Sequence, residues 1–157
     1  MPKQKRVYIE KVAREPYRSL VDLTKHVRQL SEEVGIGRDL IELMMVRASQ
    51  LNGCATCLTT HFPAALKAGV PQYKLDVITT WRSVDIFTDA ERAALAYAEA
   101  VSQLDPQSTA LDEAYSDLED NFTTEQIAAI GWNLIAINAF NRVSILSNHP
   151  VLTRNYE

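Results

Sequence analysis

Glycine is scarce in this chain, with five in 157 residues, and alternating apolar–polar runs are almost missing. Both shortages argue against a sheet. No apolar run reaches the roughly 18 residues that a membrane-spanning helix needs. The N-terminus lacks the apolar core of a secretory signal, so the expected setting is cytoplasmic, with no membrane partner. Cysteine is nearly absent as well: there are two, Cys54 and Cys57. In a reducing compartment such a closely spaced pair reads as a reactive or metal-binding device rather than a staple. A chain of about 150 residues buries roughly two-thirds of its unfolded surface and holds a core without one. Excess positive charge is missing too. The formal net charge is −4, which gives no general attraction to nucleic acid. The basic start, MPKQKRVYIEK, reads as a flexible, solvated arm over about residues 1–12.

What is present is helical periodicity over nearly the whole length. Pro16 suits a first helical turn, and Tyr17, Leu20, Val21, Leu23, Thr24, Val27 and Leu30 follow at three-to-four spacing until Gly35. Further helices are predicted over 38–51, from Cys54 to Gly69, and from Pro71 toward Trp81. Thr88 with Glu91 resembles a capping box for a helix over about 89–104, which Asp105-Pro106 ends. A weaker acidic helix covers 111–118, and Thr123 or Thr124 caps a last helix over about 125–146. No repeat, linker or composition shift divides the chain, so one all-α domain over 1–157 is expected. The last helix is apolar nearly all round, which fits either a central core helix or a subunit interface. Asn138, Asn141 and Arg142 interrupt it. Polar groups in such surroundings need partners, and a hydrogen-bond network between subunits is expected there. Trp81 and Trp132 read as core or interface residues, and His26 as a surface residue.

The segment LIELMMVRASQLNGCATCLTTHF carries the chemistry. Cys54, Cys57 and His61 stand at i, i+3 and i+7, along one helix face. Two cysteines at i, i+3 in a first helical turn reach disulfide distance. A free thiol titrates near ~8.5; helix N-terminal N–H groups and a protonated His61 both favour its thiolate. Glu42 enters by geometry. If Asn52-Gly53 folds two helices back on each other, residues equidistant from the turn face one another. Glu42 lies ten before Asn52 and His61 eight after Gly53. The run LIELMM is apolar on both sides of Glu42, so the carboxylate is partly buried and needs a partner. His61 is the expected one, giving a Glu–His–Cys line able to orient an imidazole and pass a proton. Two other readings share these residues. One is a zinc module with Cys54, Cys57, His61 and Glu42 as ligands. The other is an oligomeric interaction protein with an inert cysteine pair.

The order Glu42, Ser49, Asn52, Cys54, Cys57, His61 resembles the motif of the alkylhydroperoxidase D-like proteins of the carboxymuconolactone decarboxylase superfamily. GVPQYKL after the cysteine helix and WNLIAINAFNR near the end are similar to what such proteins carry, so the likeness spans roughly residues 16–147. The resemblance implies an all-helical fold with an antiparallel helical hairpin carrying the cysteine pair, and assembly into trimers or hexamers. It implies reduction of a hydroperoxide substrate at the expense of an external dithiol, with no metal or organic cofactor. By match of position, Cys57 is the peroxidatic cysteine and Cys54 the resolving one. His61 and Glu42 form the proton relay. One departure stands out: the founding peroxidases often carry a His just before the second cysteine, where this chain has Thr56. Threonine neither carries positive charge nor acts as a base near neutral pH.

Overall fold

A computed structural model of the chain describes residues 4–156. It is all-helical, with no strand among the described residues. The helices are α1 (Ile9–Val12), α2 (Arg14–Glu33), α3 (Arg38–Asn52), α4 (Ala55–Lys67), α5 (Gln72–Val77), α6 (Asp89–Ser102), α7 (Ala110–Asn121) and α8 (Thr124–Ser147). Two tighter 3-10 segments cover Ile78–Ser83 and Thr153–Tyr156.

The local signals work as written in the sequence. Thr88 Oγ1 accepts from Glu91 N–H while the Glu91 carboxylate accepts from Thr88 N–H, so the capping box forms and opens α6. Thr123 and Gln126 do the same for α8. The helix read from Pro71 to Trp81 is two pieces. α5 ends at Val77, and the backbone continues as a 3-10 segment with a kink at Thr80. The acidic α7 is longer than its sequence suggested, because Ala114 and Leu118 are buried and give it an inner face.

α3 is the central strut, packed against α4, α6 and α8. Its two sides feed two cores. Ile41, Met44 and Ala48 join a cluster with Ala94, Ala98, Ile130 and Leu134. Leu43 and Val46 join another with Ala65, Leu75, Ile78 and Trp81. A helix buried on two sides explains why its sequence is apolar on both flanks of Glu42. The second core is tied down by Glu99, which accepts from Trp81 Nε1 (2.8 Å), Arg47 Nε (2.8 Å) and Arg82. Desolvation raises the Glu99 pKa, but the hydrogen bonds from Trp81, Arg82 and Arg47 outweigh it and hold the carboxyl below its ordinary range.

One expectation is corrected. The network around Asn138, Asn141 and Arg142 lies within one chain. Asn52 Nδ2 donates to Asn138 Oδ1 (2.8 Å) and Asn141 Oδ1 (2.9 Å), Asn141 Nδ2 donates to Ser49 Oγ (3.1 Å), and Arg142 donates back to Asn138. Ser49 and Asn52 therefore pin the end of α3 to α8. α8 itself is not enclosed. One side is core, whereas Trp132 (46% exposed), Ile135 (49%) and Leu146 (57%) face out of the single chain; Trp81 is the core tryptophan. The arm expected over residues 1–12 lies partly outside the described residues. Its described part rests on the end of α8: Arg6 donates to Ile145 O, Ile9 N–H donates to Ser147 Oγ, and Tyr8 stacks edge-on against His149. His26 is exposed, as read.

Candidate functional site

The turn that builds the site is set by one glycine. Gly53 adopts φ +67°, a left-handed conformation that side chains resist. Gly53 N–H bonds Gln50 O (3.1 Å) and Cys54 N–H bonds Ser49 O (3.0 Å), the paired bonds of a Schellman ending for α3. Cys54, the residue that completes this ending, is also the N-cap of α4. Its Sγ accepts from Cys57 N–H at 3.3 Å. With only the two capping residues, Gly53 and Cys54, between the helices, the chain doubles back at once, and α4 lies against α3.

The pair sits at the start of α4 as a disulfide, with Cα atoms 5.3 Å apart. Both residues are buried, Cys54 at 1% and Cys57 at 6% exposed. One turn on, His61 Nδ1 lies 2.7 Å from Glu42 Oε2. The hairpin arithmetic from Asn52-Gly53 thus describes the contact made. Glu42 is wholly buried, at 0% exposed. Its other oxygen, Oε1, accepts from Arg38 Nη2. A buried carboxylate needs opposite charge and donors on both oxygens, and Arg38 with His61 supplies them. A carboxylate only accepts, so the Nδ1 of His61 donates, and Nε2 is the ring nitrogen left without a hydrogen bond among the described residues.

Arg38 is a site residue that reading for Glu42, His61 and the cysteines passed over. Its signal was present: it stands four before Glu42, one helical turn away on the same face. Four side chains named from sequence are thus brought together on the α3–α4 hairpin. Ser49 and Asn52, which share the motif, serve as struts to α8. As to metal, among the described residues no group of three or more His, Cys, Asp or Glu side chains is arranged to hold an ion.

Thr56, the position that departs from the resembled motif, holds the C-terminal segment. Its hydroxyl lies 3.0 Å from His149 O and 3.0 Å from Pro150 O. Thr59 Oγ1 accepts from Leu152 N–H at 3.0 Å. His149 is itself clamped, with Nε2 3.2 Å from Glu10 Oε1 and Nδ1 3.3 Å from Ser144 Oγ. The tail therefore crosses the first turn of the cysteine helix, where the disulfide is buried. Thr56→Val keeps the side-chain shape and removes the hydroxyl. It is expected to speed reduction of the disulfide by dithiothreitol severalfold, since the single hydroxyl proton shared by the two carbonyls, worth about 1 kcal/mol, no longer holds the tail. Timed alkylation and mass measurement checks this. A rate equal to the unaltered protein's means the tail does not limit access.

The profile of the carboxymuconolactone decarboxylase family matches residues 15–100. An uncharacterized protein of Bacillus subtilis (strain 168), YdfG, is 31% identical over 140 residues, covering 89% of this chain and 92% of that protein. A crystal structure of a protein of unknown function from Agrobacterium tumefaciens, a candidate antioxidant defence protein AhpD, superposes with TM-score 0.82. It is 28% identical and covers 95% of this chain and 100% of that one. The apo debrominase Bmp8 shares the fold at TM-score 0.66 and 22% identity, covering 86% of this chain and 74% of its own.

Proposed function

This chain belongs to the carboxymuconolactone decarboxylase family, and from that premise we propose that it is a thiol-dependent peroxidase working through Cys54 and Cys57. The observation that carries the reading is the Arg38–Glu42–His61 line, which ends one turn from Cys57 on the same helix. A helix of this kind has no structural need to bury a carboxylate. Doing so costs several kcal/mol unless it is paired, and here the pairing orients an imidazole toward work. The Agrobacterium relative's assignment to antioxidant defence points the same way.

The cycle starts from the reduced pair. Cys57, in the first turn of α4, is favoured as thiolate by the helix N-terminal N–H groups. The thiolate attacks the distal oxygen of a hydroperoxide. The S–O bond forms, the O–O bond breaks, and the sulfur is oxidised to sulfenic acid while the peroxide is reduced to alkoxide. His61 takes the thiol proton through Nε2 and returns it to the alkoxide, which leaves as alcohol. The Cys54 thiol then attacks the sulfenic sulfur, water leaves, and the disulfide forms. An external dithiol reduces it by two exchange steps and becomes a disulfide itself. No metal or organic cofactor takes part. The exposed Trp132, Ile135 and Leu146 side of α8 is the surface proposed for assembly with further copies of the chain, as a trimer or hexamer, in the cytoplasm. No helix among the described residues is long and apolar enough to cross a membrane.

The test is direct. Protein reduced and freed of reductant is mixed with one equivalent of cumene hydroperoxide. The peroxide is expected to disappear as the Cys54–Cys57 disulfide forms, one for one. Peroxide that persists beside two free thiols overturns the peroxidase reading. Prompt alkylation of those thiols would still leave a disulfide oxidoreductase, whereas inert thiols would favour the interaction protein.

A further inference from the structure

A pocket of about 220 Å3 opens beside the relay, between α2, α3 and α8, with His61 of α4 in its wall. Neither cysteine lines it. Its lining is mixed: Val27, Met45, Ala136, Ile137 and Phe140 give it an apolar side, and two guanidinium groups, Arg28 and Arg38, border it. Arg28 is exposed and makes no ion pair or hydrogen bond among the described residues. Arg38 spends one donor on Glu42; a guanidinium carries five.

The opposite feature is deeper. Asn133 also lines the pocket and is 3% exposed. Its amide orientation is fixed by its neighbours. Ser31 Oγ gives its only proton to Val27 O at 2.7 Å, so it must accept from Asn133, at 2.9 Å. Ala129 O, 2.8 Å away, is an acceptor only. Both contacts therefore take the Nδ2 hydrogens. Asn133 Oδ1 is left without a partner among the described residues, although no fully buried side-chain polar atom among them is unsatisfied. Oδ1 is thus reached from the pocket that Asn133 lines.

A chamber with one apolar side, cations at its border and a bare acceptor on a buried side chain describes a ligand. We propose that this pocket binds a small organic acid with an apolar, ring-sized body. Its carboxylate pairs with Arg28 and the free donors of Arg38, and a hydroxyl or N–H on the body donates to Asn133 Oδ1. Because Arg38 is shared with Glu42, the bound acid sits one residue from the Glu42–His61 contact. The proposal uses no sulfur, so it stands or falls apart from the peroxidase reading.

Calorimetric titration with 4-hydroxyphenylacetate, its neutral amide and phenylacetate tests it, on the unaltered protein with its disulfide intact. The hydroxy acid is expected to bind, the amide about tenfold more weakly for want of charge-assisted bonds, and phenylacetate severalfold more weakly for want of a donor. Arg28→Gln, at an exposed position with no partner to lose, is expected to weaken the hydroxy acid several-fold and leave the amide unchanged. The proposal is overturned by no binding at millimolar concentration, by equal binding of acid and amide, or by an Arg28→Gln protein that binds the acid as before. Binding with no peroxide consumption by the reduced protein would keep the pocket and remove the proposed reaction.

Discussion

Replacing Cys57 by serine is expected to drop hydroperoxide consumption to the rate of peroxide in buffer, while Cys54→Ser consumes one equivalent and stops. The difference follows from which sulfur holds the oxygen. A serine hydroxyl at position 57 is not ionised near neutral pH, so the attacking anion is gone, and no orientation by His61 restores it. With Cys57 intact and Cys54 removed, the first step proceeds and the sulfenic acid has no resolving thiol. A single turnover then leaves a protein about 16 mass units heavier, the weight of one added oxygen. Thiol counting and intact mass after one and ten equivalents of peroxide separate the two variants. Full turnover by Cys57→Ser, or a single turnover by that variant and none by Cys54→Ser, would reverse the roles given to the two sulfurs. Both substitutions remove the disulfide in the same way, so a loss of stability common to both does not mimic the contrast.

The parts of this site that were legible in the sequence are those within reach of a single turn. Gly53 fixes where α3 stops and Cys54 where α4 starts, and counting outward from them brings Glu42 opposite His61. Helical period alone was enough for Cys54, Cys57 and His61 to share a face. Arg38 was within the same reach but needed the further thought that a buried carboxylate has two oxygens to satisfy. The illegible parts come from far along the chain. Thr56 meets carbonyls 93 and 94 residues away, and Asn133 meets Ser31 across 102. No local period encodes such pairings. They follow from where α8 and the tail come to rest. The Asn138–Asn141 network shows the same limit from the other side: the need for partners was readable, but not that they would be Asn52, Ser49 and Ser102 of the same chain. The outward face of α8 remains the feature that a single chain leaves uncovered.

Glu42→Gln tests the relay more sharply than its removal would, because the amide keeps the shape and changes only what can donate. Arg38 has donors and no acceptor, so the substituted side chain must turn its amide oxygen toward Arg38 and its NH2 toward His61. His61 Nδ1, which donates to the carboxylate in the unaltered protein, must then accept. In the neutral ring the proton moves to Nε2, the nitrogen that in the proposed cycle takes the proton of Cys57. The base is present, correctly placed and in the wrong tautomer, the same logic by which an amide disables an orienting aspartate in hydrolases. The expected loss is about 10²-fold in kcat/KM for hydroperoxide, the lower part of the range that positioned proton transfer contributes. Stability should fall by about 1–3 kcal/mol, as the His61 bond becomes a neutral one and the Arg38 guanidinium loses its buried counter-charge. Nitrogen-15 spectra of the His61 ring read the tautomer independently of rate. A variant with the ring proton moved to Nε2 and activity unchanged would show that His61 does not act through that nitrogen. A variant with the tautomer unchanged and activity lost would place the effect in the field of the carboxylate rather than in its hold on the ring.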